Sequence, residues 1–191
     1  MTLNADIDID FADRTLALSK INHIPASMLR DGELHKHASG VYVTDMPIEP
    51  MSGLSAIDYK KAEDRGYIKL DFLNVSVYQQ VKSEEHLLEL MHKTPDWSKL
   101  LDKEFFDKVI HINGHFNEMK RMPEPINSIE RLMMFIALIR PGKKHLIGKS
   151  WKEVAATIWD KTDDGYSFKM SHACAYSHLC VVHMNLLLGQ G

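Results

Sequence analysis

The sequence is short of cysteine, short of excess positive charge and short of long apolar runs, and each shortage excludes something. Of its 191 residues only Cys174 and Cys180 are cysteines. Six residues along a helix amount to about 600° of rotation, so their side chains diverge. A disulfide is not expected, and a reducing cytoplasm suits the chain. The longest apolar stretches, residues 132–139 and 186–188, fall far below the roughly 20 residues that span a bilayer, so no membrane partner is expected. The first residues are acidic where a secretory leader needs a basic start. Lys and Arg total 23 against 26 Asp and Glu, for a net charge of −3. That excludes nucleic-acid binding through a bulk cationic field; DNA contact would need local basic clusters or a partner chain. Repeats and low-complexity tracts are absent. Eleven histidines invite a zinc reading, and His111 and His115 could share a helix face, but no Cys-x2-Cys or His-Glu-x-x-His spacing supports it.

What is present is a change of periodicity along the chain. Residues 5–11 alternate strictly, placing Asp6, Asp8 and Asp10 on one face of a strand and Ile7, Ile9 and Phe11 on the other. Residues 14–30 predict a short helix interrupted near Pro25, and residues 37–43 a second strand. Residues 44–55 read as a loop, 59–65 as a charged surface segment. Residues 67–73 alternate again, with Ile68, Leu70 and Phe72 on one face and Lys69 and Asp71 on the other. Helical patterns follow over 83–92, 97–109, 129–139 and 151–159, and over 172–188 with Ser171 as cap. Strands first and helices later predict an α+β chain, with residues 1–80 as the β region and 81–191 as the helical one.

Aspartate is a poor strand former, and three on one face repel each other. A divalent cation offsets that repulsion. Magnesium takes carboxylates together with substrate phosphates, and two such ions about 3.5–4 Å apart can hold both oxygens of an in-line phosphoryl displacement. Asp71 on a neighbouring strand would complete the ligand set, with Lys69 beside the phosphates. These patterns alone leave a frayed acidic tail and a cation site both open.

Five motifs bear on the choice. Ala5-Asp6-Ile7-Asp8-Ile9-Asp10-Phe11 is similar to the Pro-Asp-x-Asp-x-Asp-Phe strand of the alpha subunit of bacterial DNA polymerase III, a C-family replicative polymerase, and Asp13-Arg14 continues the match. His37-Ala38-Ser39-Gly40-Val41 resembles that family's His-Ala-Gly-Gly-Val. Ile68-Lys69-Leu70-Asp71-Phe72-Leu73 resembles Val-Lys-Phe-Asp-Phe-Leu. Ala137-Leu138-Ile139-Arg140-Pro141-Gly142 is similar to Ala-Leu-x-Arg-Pro-Gly. Tyr166 to Tyr176 resembles Tyr-Gly-Phe-Asn-Lys-Ser-His-Ala-Ala-Ala-Tyr. All five occur in the family's order.

The resemblance implies a nucleotidyltransferase-like β palm followed by reduced, mostly helical fingers. It implies catalytic, metal-binding aspartates at Asp6, Asp8 and Asp71 holding two Mg2+ ions, with Asp10 as an auxiliary carboxylate. Triphosphate contacts would come from Lys69, Arg140, Lys143, Lys144 and Lys149, and Lys169, Ser171 and His172 would lie near the nucleotide or template. The expected activity is templated DNA synthesis on primer-template DNA from dNTPs, in a host cytoplasm if the chain is phage-encoded. The family's Gly-Ser motif has no counterpart in the four residues ahead of Ala5, and the fingers segment is short. Another polypeptide is therefore expected to supply missing parts. The alternative is a catalytically inactive DNA-binding or replisome protein derived from the same palm.

Overall fold

The computed structural model describes residues 7–161 and 168–189. Strand β1 (Ile7–Phe11) is followed by helix α1 (Arg14–Leu18), whose N-cap Asp13 accepts from Leu16 N. Strands β2 (Ile24–Arg30) and β3 (Glu33–Tyr42) form a hairpin. Its two-residue turn, Asp31-Gly32, has φ of 52° and 85°, the left-handed pair that a primed hairpin turn requires. Helix α2 (Tyr59–Asp64) and strand β4 (Leu70–Asn74) complete the sheet, in the order β1-β4-β3-β2. β1 runs parallel to β4, and the other pairs are antiparallel. The prediction of helix up to residue 30 is corrected here. Residues 24–30 are an edge strand, where Pro25 costs no ladder hydrogen bond.

Alternation sorts the sheet into two faces. Val41, Phe72 and Leu18 are buried together, with Ile9, Phe11 and Leu70 packed against them, and Phe11 stacks on Phe72 at 4.7 Å. The opposite face carries the aspartates toward β1. Toward β2 it carries a second small core of Ala26, Tyr42, Met46 and Ala62 of α2. The carboxylates thus share their face with a packed patch that anchors the strands beneath them.

Residues 1–81 and 82–191 form separate compact units. The second contains α3 (Glu84–His92), α4 (Lys103–Phe106), α5 (Phe116–Lys120), α6 (Ile129–Leu138), α7 (Trp151–Thr157) and the 19-residue α8 (Met170–Leu188). Its core gathers Phe106, Leu132, Phe135, Ile136, Leu138 and Met184, among others. Helix α8 pins two loops with polar side chains. Asn185 Nδ2 donates to the carbonyls of Leu90 and Lys93 at the end of α3. Cys180 Sγ donates to Ile110 O, and His183 Nδ1 accepts from Ile110 N. The single helix predicted over 97–109 is instead a 3₁₀ turn (Trp97–Leu101) and the short α4, because Asp96 and Asp102 each accept a backbone N–H and start a new turn. His111 and His115 share no helix: His111 has φ 67°, and His115 sits just ahead of α5. Ser171 lies inside the first turn of α8 and does not cap it; Lys169 holds that position. Cys174 and Cys180 are free thiols. Among the described residues no helix is long and apolar enough to cross a membrane.

Candidate active site

Two carboxylates meet across neighbouring strands. Asp8 of β1 and Asp71 of β4 are register partners in the parallel pair, so their side chains leave the same face of the sheet. Asp8 is exposed, whereas Asp71 is only 8 % exposed. A carboxylate that deep needs partners for both oxygens. The Ser39 hydroxyl donates to Oδ1 at 2.7 Å, and the Lys69 ammonium pairs with Oδ2.

Ser39 reaches Asp71 because β3 is irregular there. Between the pairs Pro25↔Val41 and Ser27↔Lys36, Ala26 alone on β2 faces residues 37–40 on β3. The bulge turns this segment toward the site, as bulges commonly do. His37 Nδ1 accepts the backbone N–H of Gly40 at 2.9 Å, which leaves the ring neutral with its proton on Nε2. Its 3.7 Å approach to Asp71 Oδ1 is therefore not an ion pair. Burial, and then the Lys69 charge, hold the His37 pKa below its ordinary value against the opposing pull of Asp71. Tyr59 of α2 packs edge-on to His37 with centroids 5.1 Å apart, and Lys69 Nζ lies 5.9 Å from the Tyr59 centroid.

Arg14 fastens the site from below. Its Nε donates to Phe72 O at 2.8 Å and its Nη2 to Ser39 O at 3.3 Å, tying β4 to the bulge. Further along β1, burial and the neighbouring Asp8 raise the pKa of Asp10. Burial, then Asp10, raise that of Tyr78.

Asp6 lies outside the described residues. Asp8 and Asp71 are therefore the described carboxylates that could hold a divalent cation. They fit one by chemistry: the donors are hard oxygens, and Asp71 already binds a positive charge. Among the described residues no group of three His, Cys, Asp or Glu forms a complete cation cage.

The remaining predicted residues belong to the second unit. Arg140, just past α6, stacks its guanidinium 5.0 Å from the Phe168 centroid. Lys143 is buried and donates to Thr157 O at 2.9 Å. It closes the C-terminal end of α7, where a cation also suits the helix dipole. Lys144, Lys149, Lys169 and Ser171 are exposed, and His172 is half-buried. His172 lies 6.2 Å from both Phe168 and Tyr176, centroid to centroid. Tyr166 and Ser167 of the last motif lie outside the described residues.

Sequence reasoning assigned no role to Ser39, His37, Tyr59 or Arg14. His37, Ser39 and Arg14 sat inside quoted motifs, but only the bulge and the sheet register give them one; nothing local marked Tyr59. No protein-family profile matches the chain, and neither a curated protein nor a solved structure matches it significantly.

Proposed function

We propose that the Asp8–Asp71 edge is a divalent-cation site serving phosphoryl transfer, and that the sheet is a nucleotidyltransferase-like palm. More specifically, we propose templated DNA synthesis, with the chain acting as a minimal or split DNA polymerase like the polymerase III alpha subunit that its motifs resemble. The observation that carries the reading is the register of Asp8 with Asp71, with Lys69 on the same face. Two carboxylates from non-adjacent stretches of sequence come together on one face of the sheet.

On this reading Asp8 and Asp71, with Asp6, hold two magnesium ions. When bound, these supply charge neutralisation on the phosphates and a lowered pKa for the attacking hydroxyl. Ser39 and Arg14 keep Asp71 oriented. Lys69 offers its ammonium to the triphosphate. Base selection falls to pairing with the template. Primer-template DNA and dNTPs are the substrates, and a second polypeptide supplies the remaining triphosphate contacts.

Primer extension tests this directly. The purified chain receives a primed template, four dNTPs and Mg2+, alone and with lysate, beside an Asp71→Ala control. Template-directed extension that disappears in the control is expected. No extension in either condition, with DNA binding unchanged by Asp71→Ala, would leave a non-catalytic DNA-binding palm and end the enzyme reading.

A further inference from the structure

Lys69 immediately precedes β4 and lies two residues before Asp71, so the cation beside this carboxylate is tethered to the same stretch of chain. Its path is prepared. A Cβ added at Gly40 would come within 2.7 Å of Lys69 Cδ and 2.9 Å of His37 Nδ1, so the lysine stem runs close over a backbone that has no side chain. Its ammonium has a second neighbour, the Tyr59 ring, 5.9 Å to the centroid, where a cation is also favoured. Asp71 Oδ1 is held independently by Ser39 at 2.7 Å.

We propose that Lys69 is a built-in stand-in cation: it neutralises Asp71 in the metal-free protein and leaves Oδ2 when a divalent cation binds, while Ser39 keeps Oδ1 in place throughout. The inference rests on the reading of Asp8 and Asp71 as a cation site, and it adds that the site regulates its own lysine. A nearly buried carboxylate cannot stay unpaired without cost, so something positive must occupy it before metal arrives. An ammonium and a divalent ion on one oxygen repel strongly. Binding of the ion therefore releases Lys69 toward incoming phosphates, coupling metal loading to triphosphate capture. Ser39 acts on the metal only through Asp71 and is a positioning residue.

The test is Mn2+ binding, followed by the spin-resonance signal of the free ion, on the unchanged protein and on Lys69→Met, Ser39→Ala and Asp71→Asn. Lys69→Met is expected to bind Mn2+ about tenfold more tightly, because a competing charge is gone. It should melt below the unchanged protein in EDTA and recover when Mn2+ is added. Ser39→Ala should weaken Mn2+ binding with and without the lysine. Should Lys69→Met fold poorly, the unchanged protein decides: the Lys69 side-chain 13Cε resonance should move as Mg2+ saturates the Asp71 carboxyl signal. Equal or weaker Mn2+ binding by Lys69→Met, or an unmoved Lys69 resonance while the Asp71 signal shifts, overturns the stand-in role alone. Identical Mn2+ binding by the unchanged protein and Asp71→Asn overturns the metal-site reading, and the stand-in role with it.

Discussion

Asp8 and Asp71 are separated by more than sixty residues of sequence and stand side by side on parallel strands. Groups that serve one ion act as a unit and give non-additive losses. On the proposed polymerase reading, Asp8→Asn and Asp71→Asn are each expected to reduce primer extension at least about a hundredfold, the scale of several kcal/mol of charge stabilisation. The double variant should be little worse than either single one. Extension rates of the four proteins, with melting curves to confirm folding, check this. Multiplying losses would mean that the two carboxylates do separate jobs.

Tyr42 is fully buried, and its hydroxyl has no hydrogen-bond partner among the described residues. Burial first, then the charges of Asp58, Glu63 and Asp71, push its pKa up to about 12, so it stays neutral. An unpaired buried hydroxyl costs stability. Tyr42→Phe is therefore expected to leave stability unchanged or raise it by about 1 kcal/mol. Chemical denaturation measures the difference; a clear loss would reveal a partner such as a buried water.

Lys143 gives a contrast between a buried, helix-capping lysine and its exposed neighbours. Because it caps α7 through Thr157 O, Lys143→Met should cost about 1 kcal/mol of stability and leave the KM for dNTP unchanged in the folded fraction. Exposed Lys144 and Lys149, changed to Met, should leave stability unchanged. Melting temperatures of the three variants check the contrast.

His111 is expected to make the second unit acid-sensitive. Its ring stacks on Tyr176 at 4.1 Å, and its Nε2 is buried without a partner among the described residues. Burial first, and Arg140 second, lower its pKa from 6.5 to about 4. Between these values the unfolded chain binds a proton that the folded chain refuses, so acid favours unfolding. The stability is complete above pH 6.5 and is lost as the pH falls toward 4. The loss is expected to be on the order of 1 kcal/mol once solvent screening is allowed for. Burial also lowers the His183 pKa, which adds in the same direction. His111→Phe should shrink the fall in urea midpoint between pH 7 and pH 4.5; an unchanged fall would assign the acid sensitivity elsewhere.

The sequence by itself determined the parts whose signal is local. Alternation marked β1 and β4 and told which residues share a face, because side chains on a strand flip with period two. Ser83 and Ser128 marked helix starts, because a hydroxyl beside free N–H groups caps them. The run of apolar residues within 129–139 announced a buried helix. The α+β order followed from these elements alone. The tertiary structure decided the rest, because it rests on pairing between distant segments. β2 hid behind Pro25, which is acceptable only on an edge, and edge position is a property of the finished sheet. Asp31-Gly32 is a local turn signal, but it defines a hairpin only once the strand ahead of it is in place. The register that sets Asp71 beside Asp8, the bulge that swings Ser39 onto Asp71, and the burial that turns Lys143 from a free cation into a helix cap are non-local. No window of neighbouring residues contains them, since each depends on which backbone hydrogen bonds form across the fold.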